Sequence, residues 1–424
     1  MERKTMKMVI FMIFLTCTFS VAAAQEFPEL GVRVETVAEN LIVPWEIEFA
    51  SDGRIFFTER IGELRVIQNG ELLSESVISL QVSGTEGGLL GLALDPNFDE
   101  NHFLYLYYSY VEGSQIYNRV VRYTENNNSL SEETIILDKI PGSQWHDGGR
   151  IKFGPDGKLY IATGDAADWN LAQKLDSLAG KILRINSDGS IPDDNPLKDS
   201  EVFSYGHRNP QGMDWHPEDE VLVVTEHGPS GERGVANDEI NVIIPGGNYG
   251  WPDIVGDESL EGLEEPIIHS GDETWAPSGA AFYDSDKIAD WYGKFFVATL
   301  YGKHLRMLDL ENSQGEKLFF GEYGRLRNAA MGPDGHLYIM TSNNDGRGSP
   351  SSNDDQILRI VPLITEEQVS NASMSPLKQV QAGITPQDIS CKEGLKLVIK
   401  AGNGMPACVK EASVKRLSEI GWSQ

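Results

Sequence analysis

An all-β fold, a six-bladed β-propeller with a small C-terminal α/β extension, is what this 424-residue sequence predicts. Three observations carry the prediction. One β-rich unit recurs six times, each copy is followed by a second strand-like piece, and the pattern stops just after Pro362. Repetition at such a spacing is the signature of an architecture in which one supersecondary unit is reused.

The six units share an aromatic or apolar residue, a turn and a β-rich run: 49–58 (FASDGRIFFT), 94–109 (LDPNFDENHFLYLYYS), 153–163 (FGPDGKLYIAT), 215–225 (WHPEDEVLVVT), 282–299 and 331–341 (MGPDGHLYIMT). The pieces that follow them lie at 62–70, 118–124, 180–189, 238–247, 303–310 and 355–363. Asp-Gly pairs at 52–53, 156–157 and 334–335 supply hairpin turn chemistry, because glycine accepts a positive φ where a side chain would clash. Two hairpins per unit give a four-stranded blade, and the uneven spacing of the units requires long loops at some corners, where function concentrates.

The domain reading follows: residues 1–24 a signal peptide, 25–363 the propeller, and 364–424 a linker and small C-terminal module with a possible disulfide. Arg3, Lys4 and Lys7 precede an apolar run at 8–19, and Ala22-Ala23-Ala24 offers a cleavage site. The run is shorter than the roughly 20 residues a membrane span needs, so no span is expected in the mature chain. The net charge of −29 opposes binding to nucleic acid or anionic membrane. Beyond Cys17 only Cys391 and Cys408 remain, enough for one disulfide in an oxidising compartment. The expected location is secreted or extracytoplasmic.

Chemistry is expected in loops carrying residues that a propeller scaffold does not require. His146, in GSQWHDGGR (142–150), places an imidazole beside an indole and a glycine pair, and a histidine there could serve as a general base. Arg208 in SYGHRNPQG, and Arg325 and Arg327 in YGRLRNAA, lie in Gly- and Pro-marked loops and suit a polyanionic ligand. Glu226-His227-Gly228-Pro229, Asp238-Glu239-Ile240-Asn241 and Gly247-Asn248-Tyr249-Gly250 are oxygen-rich in the manner of Ca²⁺ sites. Taken singly, each feature is equally compatible with a structural histidine, a surface ion pair or an ordinary turn.

The ordered series EGGLLGLALDPNF (86–98), WHDGGRIKFGPDGKLYIATGD (145–165), LAGKILRI (178–185), YGHRNPQG (205–212), TEHGP (225–229), DEIN (238–241), GGNYGWP (246–252), WAPSG (275–279) and GRLRN (324–328) resembles the soluble glucose and aldose sugar dehydrogenases that depend on pyrroloquinoline quinone (PQQ). The resemblance covers 34–361. It implies oxidation of an aldose at the anomeric carbon to a lactone, with hydride passing to PQQ and Ca²⁺ polarising the quinone. His146 would be the base and Asp165 its orienting carboxylate. Arg208 and Asn209 would approach the quinone carbonyls, and Arg325 and Arg327 its carboxylates. The carbonyls of Gly228 and Pro229 would hold the catalytic Ca²⁺, Glu239 and Tyr249 a structural one, and Gln173 would meet the sugar.

The sequence departs from the family pattern in places. Glu86 stands where the family carries a glutamine beside the cofactor. Tyr301 aligns with the family's cofactor lysine, so Lys303 must serve from a shifted register or the contact is lost. His227 replaces a polar neighbour of the calcium loop. Two other readings stay open. A Ca²⁺-dependent, lactonase-like hydrolase could use His146 and the carboxylates but has little use for Arg325 and Arg327, and a non-catalytic propeller module has no need of His146. The electron acceptor, and the choice between monomer and homodimer, are not readable from the sequence.

Overall fold

In a computed structural model the described residues are 24–231, 234–363, 375–381, 384–392, 394–401, 404–419 and 421. The expected signal segment, apart from Ala24, and most of the expected linker lie outside them. The described residues divide into two compact units, one built on Val34–Val361 and the other on Glu26–Arg33 with the described part of 362–424.

Six antiparallel sheets of the first unit form the blades of a β-propeller. Their innermost strands are Pro44–Phe49, Leu89–Leu94, Ile151–Phe153, Pro210–Trp215, Pro277–Phe282 and Leu326–Met331. Each is followed outward by the strand that the repeat marks, Ile55–Glu59, Phe103–Glu112, Leu159–Thr163, Leu222–Glu226, Phe295–Thr299 and Leu337–Thr341. The second-piece signature becomes the third strand of every blade, for example Lys181–Ile185 and Ile357–Pro362. The last blade is completed by Val32–Ala38, which pairs with Ile357–Pro362 and so closes the ring with chain from the N-terminus.

The repeat is explained by what its residues do. Every second strand carries a hydroxyl at or near its end, at Thr58, Ser109, Thr163, Thr225, Thr299 and Thr341, and all six are fully buried. A buried hydroxyl needs a partner. Thr58 donates to the Leu90 carbonyl (2.6 Å) and Thr225 to the Ser278 carbonyl (2.8 Å), in both cases on the innermost strand of the next blade. Thr163 and Thr299 turn instead to the chain leading into their own third strand. The turns are fixed in a related way: Asp156 and Asp334 accept from Tyr160 (3.0 Å) and Tyr338 (3.1 Å), four residues on. Apolar residues fill the spaces between neighbouring blades. One such cluster joins Tyr105, Tyr107 and Val120 to Ile151, Ile161 and Leu183. Burial of side chains this size stabilises by about 1.5–3 kcal/mol each.

The second unit holds the hairpin Leu395–Ile399 with Pro406–Lys410 and the helices Pro376–Gln381 and Glu411–Glu419. Cys391 and Cys408 are joined in a disulfide across a separation of 17 residues. Closing a loop of that length stabilises a small module by about 3 kcal/mol. Among the described residues no helix is long and apolar enough to cross a membrane.

Candidate active site

The loops that enter the innermost strands converge at one end of the propeller axis. They bound a cavity of about 510 Å³ that Glu86, His146, Arg208, Gly228, Pro229 and Tyr301 line together with Arg325 and Arg347. A smaller hollow shares several of these residues and adds Arg60, Asp147, Asn209, Arg327 and Asp345. Residues from all parts of the propeller sequence thus meet in one place.

His146 is held in a left-handed backbone conformation (φ 61°), which a non-glycine residue adopts only where its surroundings enforce it. Two glycines make those surroundings possible. A side chain at Gly148 would meet the backbone of 162–164, and one at Gly164 would overlap the His146 carbonyl, so WHDGG and TGD interlock only without them. Asp165, at the end of that strand, lies 2.8 Å from His146 Nδ1 and also accepts from the Ala167 N–H (2.8 Å) and Trp251 Nε1 (2.9 Å). On the opposite side of the ring, Arg208 Nη2 is 3.0 Å from His146 Nε2. A guanidinium can only donate, so Nε2 is the acceptor and the ring proton sits on Nδ1, where it donates to Asp165. The assignment leaves a basic lone pair at Nε2.

Arg208 and Asn209 are set in place by a buried carboxylate. Glu226 accepts from the Arg208 N–H, from the Asn209 N–H (3.3 Å) and from His207 Nδ1 (2.9 Å), which orders the HRN turn against the strand Leu222–Glu226. Arg208 also gives Nη1 to the His227 carbonyl (3.2 Å) and lies over the Trp251 ring, 5.5 Å from its centroid. Asn209 accepts from the Gly148 N–H (3.1 Å), which ties this turn to the histidine loop.

The remaining arginines carry positive charge that the fold neutralises only in part. Arg325 gives Nε (2.9 Å) and Nη2 (2.7 Å) to Asp345 and Nη1 to the Leu300 carbonyl (3.3 Å). Arg327 reaches only neutral acceptors, Gln211 (3.2 Å) and Ser278 (3.4 Å), and its buried Nε has no hydrogen-bond partner among the described residues. Burial pushes its guanidinium down to about 9, and Arg60, Arg325 and Arg150 add to the effect against Asp345. A guanidinium keeps its proton at neutral pH, so burial first and repulsion second work against a charge that an anion beside it would stabilise. A flat polycarboxylate such as PQQ fits this donor set. Glu86, where burial works to raise the carboxyl, is nonetheless held below the usual range by the His146 N–H (3.1 Å) and by Arg347 (2.8 Å).

The oxygen ligands expected for Ca²⁺ are less uniform. Gly228 and Pro229 line the cavity, and the Gly228 N–H is fixed by Asp238 (2.9 Å). Carbonyls held in this way can take a hard cation. Burial and the neighbouring Glu226 push the Glu239 carboxyl up to about 8, towards its neutral form, and a bound cation would favour the ionised one. The Tyr249 hydroxyl is consumed by the fold: it donates to the Val242 carbonyl (2.5 Å) and accepts from the Ile244 N–H (2.9 Å), so only its backbone carbonyl could ligate. Among the described residues no group of three or more His, Cys, Asp or Glu is arranged to hold a metal. A site built on backbone carbonyls does not need one.

Two of the expected residues lie apart from the others. Gln173 is paired with Asn248 through both ends of its amide (2.9 Å each) and donates to the Trp251 carbonyl (2.8 Å), so it buttresses Trp251 and does not line the cavity. Lys303, in a left-handed conformation (φ 53°), lines a separate hollow with Tyr323 and Asp354, so the alternative in which the lysine contact is lost fits this placement. Tyr301 is at the cavity rim, 66% exposed. Sequence reasoning passed over Trp251, Asp147, Arg60, Asp345 and Arg347. Trp251 was within a quoted motif, and Asp147 adjoined the histidine. Lys181, in LAGKILRI, is buried with its ammonium on the carbonyls of Leu171, Ala172 and Ala179 (3.0, 2.9 and 2.6 Å), which fixes the loop after Asp165.

The comparisons with known proteins place this six-bladed propeller, with its histidine–carboxylate pair and arginine-walled cavity, among oxidoreductases of the sugar dehydrogenase class. The chain belongs to the glucose/sorbosone dehydrogenase family, whose model matches residues 41–359. It is 35% identical to aldose sugar dehydrogenase YliI of Escherichia coli K12 over 346 residues, covering 74% of this chain and 91% of the relative. Among solved structures it is similar to the PQQ-bound aldose sugar dehydrogenase of Streptomyces coelicolor (34% identity, TM-score 0.69, 77% of this chain and 97% of that one). It is likewise similar to the apo-form of the soluble aldose sugar dehydrogenase of Escherichia coli (32% identity, TM-score 0.70, 78% and 99%).

Proposed function

We propose that the protein is a PQQ-dependent aldose sugar dehydrogenase that converts aldoses to lactones with His146 as general base. The observation that carries the reading is the fixed tautomer of His146. Asp165 holds the Nδ1 proton, and the Nε2 lone pair faces a donor that a sugar hydroxyl can replace. The anomeric O–H of an aldose in the cavity would give its proton to Nε2, and the imidazolium so formed would be stabilised by Asp165, itself held by Trp251. Arg208, released from Nε2, would keep its bond to the His227 carbonyl and turn its remaining N–H groups to the cofactor.

Asn209, Arg325 and Arg327 would hold PQQ, and the Gly228 and Pro229 carbonyls Ca²⁺. When bound, PQQ supplies the two-electron acceptor for the C–H bond broken at the anomeric carbon, and Ca²⁺ makes that acceptor more electrophilic. The disulfide in the second unit and the N-terminal sequence support a site of action outside the cytoplasm.

The test is dye-linked aldose oxidation by purified apo-protein with and without PQQ and Ca²⁺. Activity should require both additions and fall by about 10²–10⁴ in His146→Ala. Absence of activity in the fully supplemented wild-type protein, with no quinone absorbance retained after desalting, would overturn the proposal.

A further inference from the structure

Arg325, Arg327 and Arg347 all line the smaller hollow, from one blade, and are held in three different ways. Arg325 is locked on Asp345 and the Leu300 carbonyl, with a side chain 7% exposed. Arg327 is buried on neutral acceptors. Arg347 comes from the loop between Leu337–Thr341 and Ile357–Pro362, is 54% exposed, and gives Nη1 to Glu86 Oε1 at 2.8 Å. The second oxygen of Glu86 accepts the N–H of His146, so this ion pair connects the loop to the segment that carries the base.

Glu86 poses a problem for any anionic cofactor. A second negative charge close to its carboxylate would be repelled, and more strongly than in water because the site is partly buried. No lysine lines the cavity to offset it, since Lys303 opens elsewhere. Arg347 is placed to do so. A guanidinium presents five N–H donors in a fork, and the bond to Glu86 leaves others available to a carboxylate entering the same cavity.

Building on the quinoprotein reading above, we propose that Arg347 is a cofactor-binding residue that bridges Glu86 and a carboxylate of PQQ. It neutralises the first while ligating the second. The exposed, singly anchored side chain then becomes ordered on binding, unlike Arg325, which is in place beforehand.

The experiment titrates full-length apo-protein with PQQ in the presence of Ca²⁺ and follows tryptophan fluorescence, with calorimetry as a second readout. The variants are Arg347→Met, Arg347→Lys and the double variant Glu86→Gln/Arg347→Met, with apo-protein melting curves to confirm folding. Arg347→Met should weaken PQQ binding about tenfold or more, and Arg347→Lys should recover part of the loss. The double variant should bind at least about threefold more tightly than Arg347→Met alone, because Glu86 is then no longer an uncompensated charge. Wild-type affinity in Arg347→Met, or a double variant no tighter than the single, overturns the inference and leaves the quinoprotein reading intact. Failure of the wild-type protein to bind PQQ overturns both.

Discussion

The two ends of the propeller axis are built from the same six strands yet treat charge in opposite ways. Where the innermost strands begin, Arg60, Arg208 and Arg327 are all held below the ordinary arginine range, chiefly by burial that their acidic neighbours do not make good. Where the strands end, a hollow of about 270 Å³ is lined by Glu46, Glu48, Arg150, Lys152 and Asp214. There Arg150 is bonded to Glu46, and Lys152 is paired with Asp214 at 2.6 Å. Burial alone would push Lys152 down, but Asp214 outweighs it and raises the ammonium. At this end the carboxylates lie directly against the cations, and at the other burial outweighs them. Burying charge without a full partner destabilises a fold, so the residues that do so point to the end that binds an anion.

The sharpest way to probe the reactive end is to reverse the polarity of its histidine. Asp165→Asn replaces the acceptor at Nδ1 with an amide that can donate, which moves the ring proton to Nε2 and removes the lone pair that faces the cavity. Turnover should fall by about 10³-fold or more at saturating PQQ and Ca²⁺, read from steady-state dye reduction. A loss of less than about tenfold would mean that Asp165 does not set the tautomer.

A direct contrast between the ends comes next. Arg327→Met removes the least-compensated guanidinium and should weaken PQQ binding to the apo-protein by about tenfold or more. Lys152→Met leaves Asp214 without its cation and should lower stability by about 1–3 kcal/mol in chemical denaturation while PQQ affinity stays within about twofold. If both variants lost affinity equally, the two ends would not differ as their electrostatics indicate.

Much of this was legible beforehand, and unevenly so. The second and third strands of each blade announce themselves because their turns and buried hydroxyls do the same job six times, at Thr58 as at Thr341. The innermost and outermost strands do not. Their sequences answer to the axis or to solvent, and closure by Val32–Ala38 is a pairing between distant parts of the chain that no local pattern encodes. In the candidate site, His146, Asp165, Arg208, Arg325 and Arg327 were marked by motifs, and the fold gathers them at one end of the propeller. Trp251 and Arg347 act through contacts 86 and 261 residues away in sequence, to Asp165 and Glu86. Gln173 and Lys303 show the opposite limit: a reciprocal amide pair in one case and a left-handed turn in the other direct the side chain in ways that no local sequence pattern encodes.

The smallest effect expected is also the one most specific to the reactive end. Asp147 lies beside the base with Oδ1 accepting from Asn118 (3.1 Å) and the Ser143 N–H (3.1 Å), while its buried Oδ2 has no partner among the described residues. Burial raises its carboxyl from 3.8 to about 6, with Glu86 adding to the rise and the two donors opposing it. A carboxyl whose folded value lies above its unfolded one contributes stability that is complete below about pH 4 and is lost as pH rises through 6. At neutral pH the ionised group therefore destabilises the fold, by at most about 3 kcal/mol for a shift of this size. Asp147→Asn keeps the accepting oxygen and puts an amide where the orphaned one was. Its denaturation midpoint should exceed that of the wild-type protein at pH 8, with the gap narrowing to nothing as pH falls from 6 to 4. An unchanged gap across that range would show that Asp147 titrates normally and that the leftover charge at this end belongs to the arginines alone.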